Sequence, residues 1–202
     1  MMNLEFFVEE QSAEVALINL IPAILPDNVD YDFDIYTFQG KKDLLKKLPN
    51  RLKAYKHWIT ENQRIIVLID RDSDDCVELK GQLEDIVASA DLQTRTASPD
   101  QFHVINRIAI EELEAWFFGD VNALRTAYPR VPETLASKSA YRDPDAIQGG
   151  TWERLGQVLN DYHLGGLEKI RAAKEISRHM NPDVNRSRSF QVFRDALRDI
   201  FT

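Results

Sequence analysis

The segment Arg64 to Asp75, RIIVLIDRDSDD, constrains this chain more than any other. Ile65 to Ile69 are five consecutive apolar residues, most of them β-branched, with charge on either side. A run of this length and composition predicts a buried strand of the kind found in parallel sheets. The run stops at Asp70, and Asp70, Asp72, Asp74 and Asp75 fall within six positions. Carboxylates this close repel one another, more so in a crevice of low dielectric. A divalent ion held through oxygen ligands offsets that cost, and ligand sites in open α/β sheets lie at the carboxyl ends of strands. The competing reading is an acidic helix N-terminus capped by Asp72, Ser73 or Asp74. Capping accounts for one or two aspartates, not for the pair Asp70 and Asp72 straddling the strand end.

Strand and helix signals alternate around this segment. Leu4 to Val8 predicts a strand ending at Glu9-Glu10, and a helix follows with Ser12 as its N-cap. Asp32 to Phe38 predicts a second strand, broken by Gly40. A helix through DLLKKLPNRLKAYKHWI comes next, interrupted near Pro49. Asp74 to Ala90 predicts a helix with Val77, Leu79, Leu83, Ile86 and Val87 facing inward. Leu92 to Ser98 is a weak edge-strand signal, and Phe102 to Ile110 a stronger one. The alternation implies a three-layer α/β fold with a parallel or mostly parallel sheet.

Past Gly119 the strand signal ends. A short helix over Asp120 to Tyr128 and a polar loop over 133–150 lead to three helices, near Thr151 to Tyr162, Leu167 to His179 and Ser189 to Phe201. Gly165-Gly166 and Asn181-Pro182 separate them. The expected organisation is an α/β domain over 1–119 with a helical extension over 120–202 packed on it.

Composition narrows the function. The net charge of −8 and pI near 5.1 argue against a protein that coats nucleic acid, but not against an enzyme that touches it through a local basic patch. The densest basic run, Lys41, Lys42, Lys46, Lys47, Arg51, Lys53 and Lys56, is either a solvated helix face or a phosphate-contacting surface. Lys41 and Lys42 are best placed for contact because they follow a strand end. The single cysteine, Cys76, rules out an internal disulfide framework. The four histidines, His57, His103, His163 and His179, share no ligand spacing. No run is long enough to span a bilayer and the first residues lack a signal-peptide pattern, so a cytoplasmic protein with no membrane partner is expected.

Three strand ends carry carboxylates: Glu9 and Glu10, Asp70 and Asp72, Glu112 and Glu114. Neighbouring parallel strands would bring them to one sheet edge, where they could hold one or two Mg²⁺ ions. If residues 111–114 are extended, Glu112 and Glu114 share a side; in a helix they lie roughly 160° apart and only one reaches the metal. Glu112 is preferred.

The order strand–VE–helix, strand–DRD and a further acidic strand end resembles the Toprim domain of topoisomerases, primases and nucleases related to the overcoming-lysogenization-defect enzymes. The resemblance implies a Toprim-like, Rossmann-like fold in which Glu9, Asp70 and Asp72 bind Mg²⁺, with Mn²⁺ as a substitute, and support phosphodiester chemistry. Glu10 stands where many Toprim domains have glycine. The motifs FVEEQSAE, GKKDLL, LIDRDSDD, IEELEAWFFGD and NRSRSFQVF resemble, over nearly the whole chain, the prokaryotic family known as domain of unknown function 4276. Its members are often encoded beside ABC-type ATPases, which implies a DNA-processing or anti-phage defence partnership.

The expected activity is therefore Mg²⁺-dependent cleavage of nucleic acid, with DNA as the favoured substrate and an ABC-type ATPase as partner. No residue is an obvious general base, although Glu10 or Glu14 could serve. Arg186 and Arg188 either grip a phosphate near the metal edge or are solvated beside a helix capped by Ser187 or Ser189. Lys138, Tyr141 and Arg142 are further phosphate candidates, and Trp116 and Phe117 are expected in the core. A catalytically silent binding module of an ATPase complex is the alternative. A haloacid-dehalogenase-like phosphatase, with Asp70 as nucleophile and Asp72 as acid, is a lesser one, since its later lysine and aspartate pair are missing.

Overall fold

The computed structural model describes residues 1–162 and 168–202. The expected break at Gly165-Gly166, the helix start at Leu167 and His163 lie outside the described residues. Four strands, β1 (Met2–Val8), β2 (Tyr31–Thr37), β3 (Gln63–Asp70) and β4 (Val104–Ala109), form one sheet in the order β2-β1-β3-β4. The sheet is all parallel and flanked by helices, a Rossmann-like α/β arrangement. Helices α1 (Gln11–Ile24), α2 (Lys41–Tyr55) and α3 (Cys76–Ser89) fall between and after the strands. Among the described residues five more follow: α4 (Ala115–Gly119), α5 (Val121–Ala127), α6 (Thr151–Asp161), α7 (Lys169–Ser177) and α8 (Arg188–Arg198).

The chain divides into two compact units, residues 1–14 with 27–108, and 15–26 with 109–202. In the first, Phe7, Ile65, Val67 and Ile69 pack with Leu44, Leu48, Leu52 and Tyr55 of α2 and Leu79, Leu83 and Val87 of α3. These helix positions recur at three- and four-residue steps, so one face of each helix is apolar. Pro49 does not interrupt α2. A mid-helix proline costs about 3 kcal/mol, a cost met here by burial of the four apolar side chains around it. Val77 is 80% exposed rather than inward-facing, because it lies two residues, about 200°, from the Leu79–Leu83–Val87 stripe. Glu5 is buried within β1, where it accepts hydrogen bonds from the Tyr55 hydroxyl and the Gln63 amide and ties the end of α2 to the sheet.

In the second unit Trp116 is fully buried against Phe190 and Phe193, with ring centroids 5.2 and 5.1 Å away. Residues 133–150 are not a plain loop. They hold three short 3-10 turns, Glu133–Ser137, Ser139–Tyr141 and Pro144–Ala146. Asp145 pins this stretch by accepting from the Ser187 hydroxyl at 2.6 Å and the Ser189 amide at 2.8 Å. The Leu92 to Ser98 strand reduces to one parallel bridge, Thr94 with Val104.

Candidate functional site

Two neighbouring strand ends meet in the first unit. The parallel register pairs Val8 with Leu68, so Glu9 and Asp70 emerge together at the carboxyl edge of β1 and β3. The order β2-β1-β3-β4 means that the chain leaves β1 toward one side for β2 and crosses to the other for β3. That reversal opens a crevice between the two strand ends, the usual ligand position in such sheets. Glu9 Oε1 accepts the Asp70 N–H at 2.7 Å. Burial pushes the Glu9 carboxyl from 4.5 up to about 7, against the Asp70 N–H and the Lys41 charge, which pull it down; Asp72 and Glu10 add to the rise.

Lys41 reaches the same edge from α2. Phe38 N–H donates to Val8 C=O and Gly40 N–H to Glu9 C=O, so the chain follows β1 past its end before α2 begins. Gly40 has φ 88°, a conformation that glycine adopts without steric cost. The Lys41 ammonium donates to Asp72 and Asp74, both at 2.8 Å, and to the Arg71 carbonyl at 2.9 Å. Burial disfavours that charge, but the bonds to Asp72 and Asp74 outweigh it and hold the ammonium above its ordinary value. Asp72 sits at φ 50°, where aspartate is better tolerated than most residues. The cap of α3 is Asp75, which accepts from Val77 N–H at 2.8 Å and Glu78 N–H at 3.0 Å, in place of the expected Asp72, Ser73 or Asp74. Lys41, Lys42, Asp72 to Asp75, Glu78 and Gln82 line an open groove of about 640 Å³.

Sequence reasoning missed Asp74 as a partner of Lys41. Thirty-three residues separate the two, and no local pattern marks them. Ser12 also differs from expectation: α1 begins at Gln11, one residue earlier, so Ser12 sits in the first turn and its hydroxyl donates to Glu10 at 2.8 Å.

The third acidic strand end belongs to the second unit. Glu111 turns the chain at φ 61°, after which Glu112 and Glu114 diverge. Glu112 accepts from the Trp152 N–H at 2.8 Å and the Thr151 hydroxyl at 3.1 Å, at the start of α6. Glu114 is buried, with the Lys169 ammonium 3.7 Å from its carboxylate. Arg186 donates to the Phe118 carbonyl at 3.1 Å and the Arg142 carbonyl at 2.8 Å, while Arg188 is exposed beside Gln191. Ser187 caps α8. Lys138 approaches the Tyr162 hydroxyl at 3.4 Å, and Tyr141 stacks on Phe118. The motifs FFGD and NRSRS are joined structurally: Asn185 is buried, its amide donates to the Trp116 carbonyl, and it fits because Gly119 has no Cβ.

A hard divalent cation suits the donors at the first unit's edge in kind, because all are carboxylates and one is forced above its ordinary range by burial. Among the described residues, no three His, Cys, Asp or Glu side chains are arranged to hold one ion. Mg²⁺ is commonly held by one or two carboxylates, with water and substrate phosphate completing its shell, so Glu9 and Asp70 suit that ion in ligand type. No helix is long and apolar enough to cross a membrane among the described residues. Comparison with protein families matches residues 8–198 to the family described as Domain of unknown function (DUF4276). No curated protein and no solved structure matches the chain.

Proposed function

We propose that this chain, which belongs to the DUF4276 family, is a Mg²⁺-dependent phosphodiesterase of Toprim type that nicks or cuts nucleic acid, DNA in the first instance, in partnership with an ABC-type ATPase. The observation that carries the reading is the junction of Glu9 and Asp70 at the reversal between β1 and β3, with Asp72 and Lys41 close enough to act on Glu9 electrostatically. Glu9 and Asp70 would hold Mg²⁺, or Mn²⁺ in its place, with water and substrate phosphate completing the shell and Asp72, paired with Lys41, beside them. Such an ion supplies charge neutralisation at a phosphoryl group and lowers the pKa of water. Glu9, raised to about 7 in the metal-free chain, holds a proton near neutral pH that ion binding would displace. Lys41 sets a positive charge at the rim of the groove, where phosphate oxygens would lie.

One observation favours the silent binding module instead: Lys41 already neutralises part of the acidic edge. Nicking of a supercoiled plasmid with Mg²⁺ or Mn²⁺, wild type beside Asp70→Ala, separates the two. Metal-dependent nicking lost in the variant is the expected result. Nicking that persists in Asp70→Ala overturns this active site, and no cleavage by wild type with either metal favours the binding module.

A further inference from the structure

Helix α2 buries Leu44, Leu48, Leu52 and Tyr55. On its far side Lys42, Lys46 and Lys53 are exposed, and at 100° per residue they fall within about 40° of one another. Their basic neighbours are paired: Lys41 with Asp72 and Asp74, Lys47 with Asp43, Lys56 with Asp91. Among the described residues these three lysines have no carboxylate within ion-pair distance. This happens in a chain whose 33 acidic residues outnumber its 25 basic ones. Lys42 and Lys46, four apart, repel each other and weaken the helix. An anion laid along the stripe removes that penalty.

The two ends of the stripe say which anion. Lys42 lines the groove beside Asp72 and Asp74. Past the other end of α2, on the Tyr55 side of the helix, Trp58 is 53% exposed and rests on the Tyr55 ring, with centroids 4.3 Å apart. The Tyr55 hydroxyl is anchored on buried Glu5, and the Trp58 backbone N–H donates to the Tyr55 carbonyl at 2.9 Å, which fixes the main chain that carries the ring. The indole is therefore ordered before anything binds it, which lowers the cost of stacking. Lys42 and Lys53 are about 16 Å apart along the helix axis. A cationic track with an aromatic platform matches a single strand, whose phosphates take the charges and whose unpaired base takes the ring.

We propose that α2 is a track for single-stranded nucleic acid, with phosphates on Lys42, Lys46 and Lys53 and a base stacked on Trp58, leading the strand to the groove that Lys42 shares with Asp72 to Asp75. What happens at that groove rests on the phosphodiesterase reading; binding along the track does not. The test uses the full chain in EDTA, where metal-dependent cleavage is silent, and a labelled oligothymidylate of about 12 nucleotides. Wild type is expected to bind it with quenching of tryptophan fluorescence. Replacing all three lysines by glutamine lowers the slope of log affinity against log salt by about 2, at roughly 0.7 per phosphate on a single strand. Trp58→Ala weakens the oligonucleotide by about tenfold and abolishes the quench, while Trp58→Phe keeps most of the affinity; binding to a duplex of equal length is unchanged by Trp58→Ala.

Wild type that does not bind the oligonucleotide overturns the track, as does a triple variant with native far-UV circular dichroism and an unaltered salt slope. Equal losses on single strand and duplex with Trp58→Ala overturn the stacking platform. Failure of the plasmid assay with this binding intact would refute only the chemistry at the groove.

Discussion

Glu9→Gln should stabilise this protein above neutral pH. In the folded chain the Glu9 carboxyl titrates at about 7, against 4.5 for its ordinary value. The folded state therefore holds the Glu9 proton more tightly than the unfolded state does. Stability from this group is fully present below about pH 4.5 and is lost as pH rises through about 7. At 1.36 kcal/mol for each pH unit between the two values, the loss by pH 8 is about 3 kcal/mol. Glutamine keeps the size of the side chain and an oxygen for the Asp70 N–H. The charge-assisted part of that bond is already contained in the value of about 7. The variant should thus gain about 3 kcal/mol at pH 8 and less than about 1 kcal/mol at pH 5. Urea unfolding in EDTA at the two pH values measures the difference. A gap between wild type and variant that is the same at both, or a variant less stable at pH 8, refutes the reasoning. Mg²⁺ at pH 8 should then stabilise wild type by about 2.7 kcal/mol at a hundredfold excess over its dissociation constant, and the variant by much less.

Two further outcomes concern the packing around the site and the second unit. Lys41→Met removes the cation between Asp72 and Asp74 while keeping the apolar stem; it should cost about 1–2 kcal/mol, more at low ionic strength than high, and a salt-independent cost in urea unfolding would show that the ion pairs contribute nothing. Gly119→Ala places a methyl group on the Asn185 side-chain oxygen and should cost about 2 kcal/mol or more, through overpacking and loss of the Asn185 bonds to the Trp116 carbonyl and Ser187 amide; thermal unfolding unchanged from wild type would mean that the segment shifts freely.

The parts of this fold that were readable from the sequence are those set by local pattern. The apolar run Ile65 to Ile69 and its abrupt end at Asp70 reappear as β3, and the alternation around it reappears as a parallel sheet, because burial on both faces leaves no polar side to alternate. Glu9 and Asp70 could be paired in advance since both follow strand ends. What was not readable depends on single backbone angles or distant partners. Whether Glu112 and Glu114 share a side turned on Glu111, whose left-handed φ bends the chain where a strand or helix was assumed. Val77 was misassigned because, two residues before Leu79, it lies about 200° round the helix from the Leu79–Leu83–Val87 stripe and faces out. Arg186 looked like a phosphate ligand, yet its guanidinium is spent on two carbonyls that no spacing rule connects to it.

The four aspartates pose an electrostatic problem that the structure answers only in part. Asp75 is satisfied by the helix it caps, so it leaves the balance. Asp72, Asp74 and an ionised Glu9 would place three negative charges around the ammonium of Lys41. Lys41 touches Asp72 and Asp74, whose side chains are about half exposed and screened by water. The carboxylate furthest from its ordinary behaviour is Glu9, which is the more buried and feels Lys41 only at a distance. The cost of ionisation therefore falls most heavily on Glu9, at the end of β1 and away from the lysine. Here the lysine stabilises the outer aspartates, and Glu9 is left as the carboxylate whose ionisation a second positive charge would favour most.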